Sequence, residues 1–280
     1  MINLLKSNFE RVKKGRTKYI FLLSIIGALY ILIWHCLVYK NSELYIEDFI
    51  FRGGTFIGLI IASFVSIFIV REFNNGTIRN KMIFGFNKIK IYFANLITLI
   101  VIGVLAYLLY FFLISFIGYF LFDGTLIKMS ELFLKLFKMI LTIIMYISIF
   151  TSISYMVGGK ISSIIINIFY VIIGAGLASI LLSSDVLQES KKLIDVQLIN
   201  GEYVTIENDN PNYIKYRVRR PVYTAIVNLT PMGQTMEIND GFPAGIELGK
   251  NKNYIIVYST CVSILITCIG MIVFKNKDIN

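Results

Sequence analysis

The sequence predicts an all-α polytopic membrane protein: six transmembrane helices, an N-terminal amphipathic helix, and a small external α+β insertion between helices five and six. Three observations carry that prediction. Hydrophobic residues make up 56% of the 280 positions and the mean hydropathy is +0.73, well outside the soluble range. Six stretches each approach the roughly 20 apolar residues that a spanning helix needs. The links between them are short and mostly basic, save for one sizeable polar stretch at 184–252.

Residues 1–18 come first. Ile2, Leu5, Phe9 and Val12 recur at helical spacing, with Lys6, Arg11, Lys13 and Lys14 elsewhere around the turn. That pattern predicts an amphipathic helix lying at the inner membrane surface. Spans follow at 19–38, 51–70, 93–122, 139–157, 164–183 and 254–274. The first is too long for a signal-peptide core and no small-x-small site follows Cys36, so it is expected to stay in the membrane. The third is longer than needed, which implies tilt or projection beyond the bilayer. Gly158-Gly159-Lys160 is a minimal link and predicts a tight antiparallel hairpin of spans four and five. Gly174 and Ala178 form a small-xxx-small pair for close helix packing.

The insertion 184–252 is expected outside the cell. Asn200-Gly201 between runs of Val, Ile, Leu and Tyr predicts a β-hairpin, because Asn-Gly supplies the positive φ angles of a type I′ turn. Asn208-Asp209-Asn210-Pro211-Asn212 reads as the next turn, 213–218 as a further strand, and 223–229 as a short helix before Pro231. Lys215, Arg217, Arg219 and Arg220 make a basic run there, open to two readings: a solvated or headgroup-facing surface, or a contact with an acidic substrate or partner. The units are therefore 1–18, an interfacial helix; 19–183, five spans with the link 71–92; 184–252, the insertion; and 253–280, the last span and a tail.

Charge sets the expected orientation. With the N-terminus inside, the cytoplasmic segments hold Lys6, Arg11, Lys13, Lys14, Arg16, Lys18, Arg71, Arg79, Lys81, Lys88, Lys90, Lys160, Lys275 and Lys277 against Glu10, Glu72 and Asp278. Short outer loops offer only Lys40, Arg52, Lys128, Lys135 and Lys138. The positive-inside rule then places both termini in the cytoplasm. The net charge of +10 needs no nucleic acid as partner; insertion and anionic inner-leaflet lipid account for it.

Much chemistry is missing from the sequence. No Walker-type G-x-x-x-x-G-K-[ST] is present, and 245–251 falls one residue short of it. With His35 as the lone histidine and cysteines only at Cys36, Cys261 and Cys268, neither a zinc site nor a disulfide framework is expected, and the cysteines read as small packing residues. No ionisable residue falls deep within a span, whereas ion-coupled pumps need such groups at mid-membrane. Ser63, Ser66, Asn95, Thr98, Ser115, Thr142, Ser148, Thr151, Asn167, Thr260 and Thr267 punctuate the spans. They suit either an amphipathic cargo or interhelical hydrogen bonds.

The link 71–92 is too long for a tight turn and too short for a domain. Asn74-Asn75-Gly76-Thr77 reads as a turn, with Thr77 as a helix N-cap. Phe73, Ile78, Met82 and Phe86 would keep an apolar edge toward the membrane. Glu72, then Gly76-Thr77, Arg79 and Lys81, then Gly85-Phe86-Asn87-Lys88 leading into the third span, resembles the permeases of type-2 ABC exporters. The proline that family members often carry after the Gly-Thr pair is absent here.

That resemblance implies a subunit without an ATPase site of its own, with ATP and Mg in a separate cytosolic ATPase. It implies two ATPase copies beneath two permeases, the second permease being the same or a homologous chain. The Ile-, Lys- and Asn-rich composition suggests an AT-rich bacterial genome, and so a bacterial cell membrane. The link would be a coupling helix: Glu72 and Arg79 would make polar contacts with the ATPase, alongside Lys81. Gly76 and Thr77 would form its turn, and Phe73, Ile78 and Met82 would fill the ATPase groove. The expected cargo is an amphipathic peptide, an antibiotic or a lipid-like compound. A non-transporting sensor or scaffold with a ligand-binding external domain is the alternative.

Overall fold

The computed structural model describes residues 1–15, 19–38, 47–51, 53–121, 128–181, 192–199, 202–209, 220–239 and 254–278. In chain order the elements are α1 (Ile2–Lys14), α2 (Tyr19–Val38), α3 (Glu47–Ile50), α4 (Gly53–Asn74), α5 (Thr77–Ile83), α6 (Lys88–Leu121), α7 (Met129–Val157), α8 (Lys160–Leu181), β1 (Lys192–Ile199), β2 (Glu202–Asp209), α9 (Arg220–Leu229), α10 (Pro231–Ile238) and α11 (Tyr254–Asn276). Among the described residues, five helices are long and apolar enough to cross a bilayer, within α4, α6, α7, α8 and α11. A bent pair, α1 with α2 at 58°, is the sixth candidate. The chain is a multi-pass membrane protein.

An apolar helix in lipid has no hydrophobic reason to choose a face, so packing and buried polar pairs decide the arrangement. Helix α4 lies at the centre, against α2, α7 and α8, with Ile57, Ile61, Val65, Phe68 and Ile69 buried. Helix α6 packs on α2 and α7, and α11 lies along α7. The 34 residues of α6, about 51 Å at 1.5 Å each, exceed a hydrocarbon core of about 30 Å, as the long third apolar run foretold.

Ser66, Asn95, Thr98, Thr142 and Asn167 join helices. Asn167 donates to Ser66 (2.8 Å) and Ser154 (3.1 Å), which ties α8 to α4 and α7. Thr260 instead returns its hydroxyl proton to the Ile256 carbonyl of its own helix. Cys261 and Cys268 are both exposed along α11.

Several boundaries differ from expectation. Helix α7 starts ten residues before the expected fourth span, because Glu131, Lys135 and Lys138 interrupt hydrophobicity but not helix propensity. The short link holds: α7 ends at Val157, α8 begins at Lys160, and Gly158 at φ +70° turns the chain. Strands β1 and β2 pair antiparallel, with Ile199 opposite Glu202. The Asn200-Gly201 turn between them, the expected strand 213–218 and residues 210–212 lie outside the described residues. Asn208 and Asp209, expected in a turn, continue β2.

The expected external α+β insertion is not supported as a unit. Its helices belong to the helical body: α10 packs against α7, α8 and α4, and Met232, Gln234, Thr235 and Ile238 are all buried. Pro231 opens α10 at its first turn, where no backbone N–H is required, and the Thr230 side chain caps it by accepting from the Gly233 N–H at 3.2 Å. Gln234 fixes the depth of α10. Its amide oxygen accepts from Thr142 (2.9 Å) and Ser259 (2.7 Å), and its amide nitrogen donates to the Asn228 carbonyl (2.6 Å). Met232 lies over Gly174, so the small-residue notch of α8 receives α10. Gln234→Leu should therefore lower the stability of the detergent-solubilised protein by about 1–3 kcal/mol, since it strips partners from buried hydroxyls. A thermal melt checks this, with Gln234→Glu as the polar control.

Candidate functional site

The link between α4 and α6 is built as a rigid elbow. Helix α4 runs on to Asn74, and the chain then reverses at Gly76, whose φ of +62° is left-handed. Nothing lies within 4 Å of where a Gly76 Cβ would be, so the demand there is conformational and not steric. Helix α5 follows, and Gly85 at φ +82° closes it, with the Gly85 N–H on the Met82 carbonyl (2.9 Å) and the Phe86 N–H on the Lys81 carbonyl (3.1 Å). Asn87 then caps α6 by accepting from the Lys90 N–H at 2.8 Å. Thr77 is the first helical residue of α5, and Gly76 occupies the cap position with no side-chain bond, so Thr77 is not the expected N-cap.

A left-handed φ costs an ordinary L-residue about 1–2 kcal/mol, and a β-branched one more. Gly76→Val should thus loosen the α4–α5 turn, read as faster amide exchange over Thr77–Ile83. Gly76→Asn, which tolerates this region, should stay near wild type.

Beneath the elbow lies a buried charge cluster. Glu72 is fully buried. Its Oε1 is paired with both Arg11 Nη1 and Lys81 Nζ, and its Oε2 accepts from Asn95 Nδ2. Asn8 completes the ring: Nδ2 donates to Asn95 Oδ1 at 2.8 Å, and Oδ1 accepts from Lys81 Nζ at 2.9 Å. Asn95 also donates to the Tyr155 hydroxyl. The Arg11 guanidinium sits 3.9 Å from the Phe68 ring centroid, a cation–π contact. Burial pulls the Lys81 pKa below its ordinary value, against the opposing pull of the Glu72 charge. Helices α1, α5 and α6 thereby meet on one carboxylate of α4, and α7 joins the cluster through Asn95.

An aromatic cluster adjoins it. Phe73 stands edge-on to Tyr155 (5.8 Å) and Phe274 (6.2 Å), and Tyr92 lies 5.0 Å from Tyr155. Lys277 donates to the Tyr155 and Met156 carbonyls at 2.9 and 3.0 Å, at the end of α7. Lys88, at the start of α6, donates to the Lys275 and Lys277 carbonyls at 3.1 and 2.6 Å. The trailing end of the elbow is therefore tied to the ends of α7 and α11.

The expected link residues divide into two groups. Glu72, Phe73, Ile78, Lys81 and Met82 turn toward the chain's own helices; Ile78 and Lys81 are buried and Met82 packs on the core. Glu72 is thus a partner of α1 and α5 rather than a group open to an external protein. Arg79 and Asn80 are exposed, and Gly76 and Thr77 form the turn. The elbow's outer tip is Ile83 and Phe84, 74% and 81% exposed, which the sequence reading did not single out. An apolar pair one residue off the Ile78–Met82 edge was the available signal. Asn8, Arg11 and Asn95 were missed as cluster members, because their partners lie far away in sequence. Lys215, Arg217 and Arg219 lie outside the described residues, and Arg220 opens α9.

Residues 4–174 match a family model described as an ABC-2 family transporter protein. That stretch runs from α1 into α8 and contains the whole charge cluster and the elbow. No curated protein matches the chain.

Proposed function

Because the chain belongs to the ABC-2 family of transporter membrane proteins, we propose that it is the membrane-spanning permease subunit of an ATP-driven exporter. Both termini and the elbow face the cytosol in this reading, in a bacterial membrane, as the basic short links favour. Two copies of a soluble ATPase carry ATP and Mg, and a second permease, identical or homologous, completes the complex. The cargo is an amphipathic peptide, an antibiotic or a lipid-like compound, for which spans without mid-membrane charge are suited.

One observation carries the coupling role: a short helix with an exposed apolar tip, Ile83-Phe84, mounted on a buried salt-bridged base. A lever must be stiff to pass on a displacement. Glu72, Arg11, Lys81 and Asn95 stiffen its base, while Phe84, Ile83 and Arg79 meet the ATPase groove. Co-purification tests this. The exporter reading expects a Walker-motif ATPase in stoichiometric complex, with its turnover raised by the permease. Recovery of a kinase or regulator without such an ATPase would favour a sensor instead.

A further inference from the structure

We propose that α1 is a lipid-sensing arm of the coupling unit: an anionic phospholipid surface engages its outward face and, through Asn8 and Arg11, sets how firmly the elbow is held. For its consequence this rests on the coupling role above; its geometry stands independently. Helix α1 has two working faces. Leu4, Asn8 and Val12, one turn apart, are buried, and α1 packs on α6. Around the helix from them, Ile2 and Phe9 (79% and 37% exposed) share a narrow arc with the exposed Lys6 and Lys13. No acidic residue occupies the first turn, and Glu10 pairs with Lys14 at 3.9 Å outside that arc.

Placement selects the partner. Helix α1 bends by 58° from α2, an apolar helix of 20 residues, and so leaves the axis of the sixth candidate span near its end. Apolar side chains flanked by ammonium groups at that level fit acyl chains below and phosphate groups beside them. Each such lysine strengthens attachment to an anionic surface about fivefold. The inward face supplies transmission. Asn8 holds Lys81 of the elbow and Asn95 of α6 at once, and Arg11 shares Glu72 with Lys81. A small rotation or lift of α1 disturbs these bonds together: Lys81 loses Asn8, and Glu72 loses Arg11, which leaves the elbow's cation held by Glu72 and Asn95 alone.

The test is amide hydrogen exchange on the full chain, without ATPase, in vesicles of neutral phosphatidylcholine and of phosphatidylcholine doped with phosphatidylglycerol. Anionic lipid should slow exchange over Thr77–Ile83 by about fivefold or more. Lys6→Gln/Lys13→Gln should abolish that response at unchanged helix content. Asn8→Leu should keep the lipid-induced protection of Ile2–Lys14 while the elbow follows only weakly, through the remaining Arg11–Glu72 pair. An elbow indifferent to lipid charge in the wild type overturns the proposal, as does an unchanged response in either variant; the wild-type comparison decides even where a variant misfolds. Protection of α1 that arises only on adding the ATPase would assign its outer face to that protein and overturn it too. Since no ATPase takes part in the main arm, failure here leaves the docking role of Phe84 standing.

Discussion

Replacing Glu72 with alanine should destabilise the protein by about 3–5 kcal/mol, the largest effect of any single change at the elbow. The carboxylate is fully buried between Arg11 and Lys81, and its loss leaves two cations facing each other beside Asn95. Desolvation, which the ion pairs now offset, would be uncompensated. The cost comes from breaking the set and not from lacking it, since buried ion pairs exchanged wholesale for apolar side chains are often neutral. The triple replacement Arg11→Met/Glu72→Met/Lys81→Met should therefore melt closer to wild type than Glu72→Ala does. Thermal unfolding in detergent measures both. A Glu72→Ala protein as stable as wild type would show that the cluster does not hold the elbow. The triple variant should keep the fold but lose the specific tie between α1 and α5, so coupled transport should still fall.

The second large effect leaves stability alone. Phe84 is 81% exposed at the tip of the elbow, and Phe84→Asp should shift stability by no more than about 0.5 kcal/mol. Its association with the partner ATPase should weaken by at least about 30-fold, since an aromatic anchor seated in a groove is typically worth about 2 kcal/mol or more. Ile83→Asp should act in the same direction. Arg79→Ala, at a polar rim, should alter association chiefly at low salt. The two sets of mutants separate cleanly: Glu72 variants lose the lever's base, and Phe84 variants lose its contact.

The membrane helices were legible because lipid imposes a length and a polarity on any segment that crosses it. Helix α2 runs from Tyr19 to Val38, the limits its apolar run implies, and the paired strands end at Ile199 and Glu202, on either side of the Asn-Gly pair. Helix α10 was not legible. Pro231 reads equally well as the stop of one helix or the first turn of the next, and only the burial of Gln234 against α7 and α11 shows which. At the elbow, periodicity located an apolar edge on α5 but not what that edge faces. Ile78 and Met82 were open to two assignments, to the membrane side or to an ATPase groove, and they turn inward. The role of Glu72 was hidden for a related reason. A carboxylate beside an expected docking segment suggests an external contact, and its cation Arg11 lies 61 residues away, where no local pattern could pair them.

The most direct test of the lever is a photo-crosslinking amino acid at position 84 in native membranes. A covalent adduct should form between this chain and a nucleotide-binding ATPase from the cytosolic side, and it should be lost when Glu72→Ala removes the base of the elbow. Labelling of position 84 by a membrane-impermeant reagent from outside the cell, or no ATPase adduct from an intact complex, would contradict the coupling role.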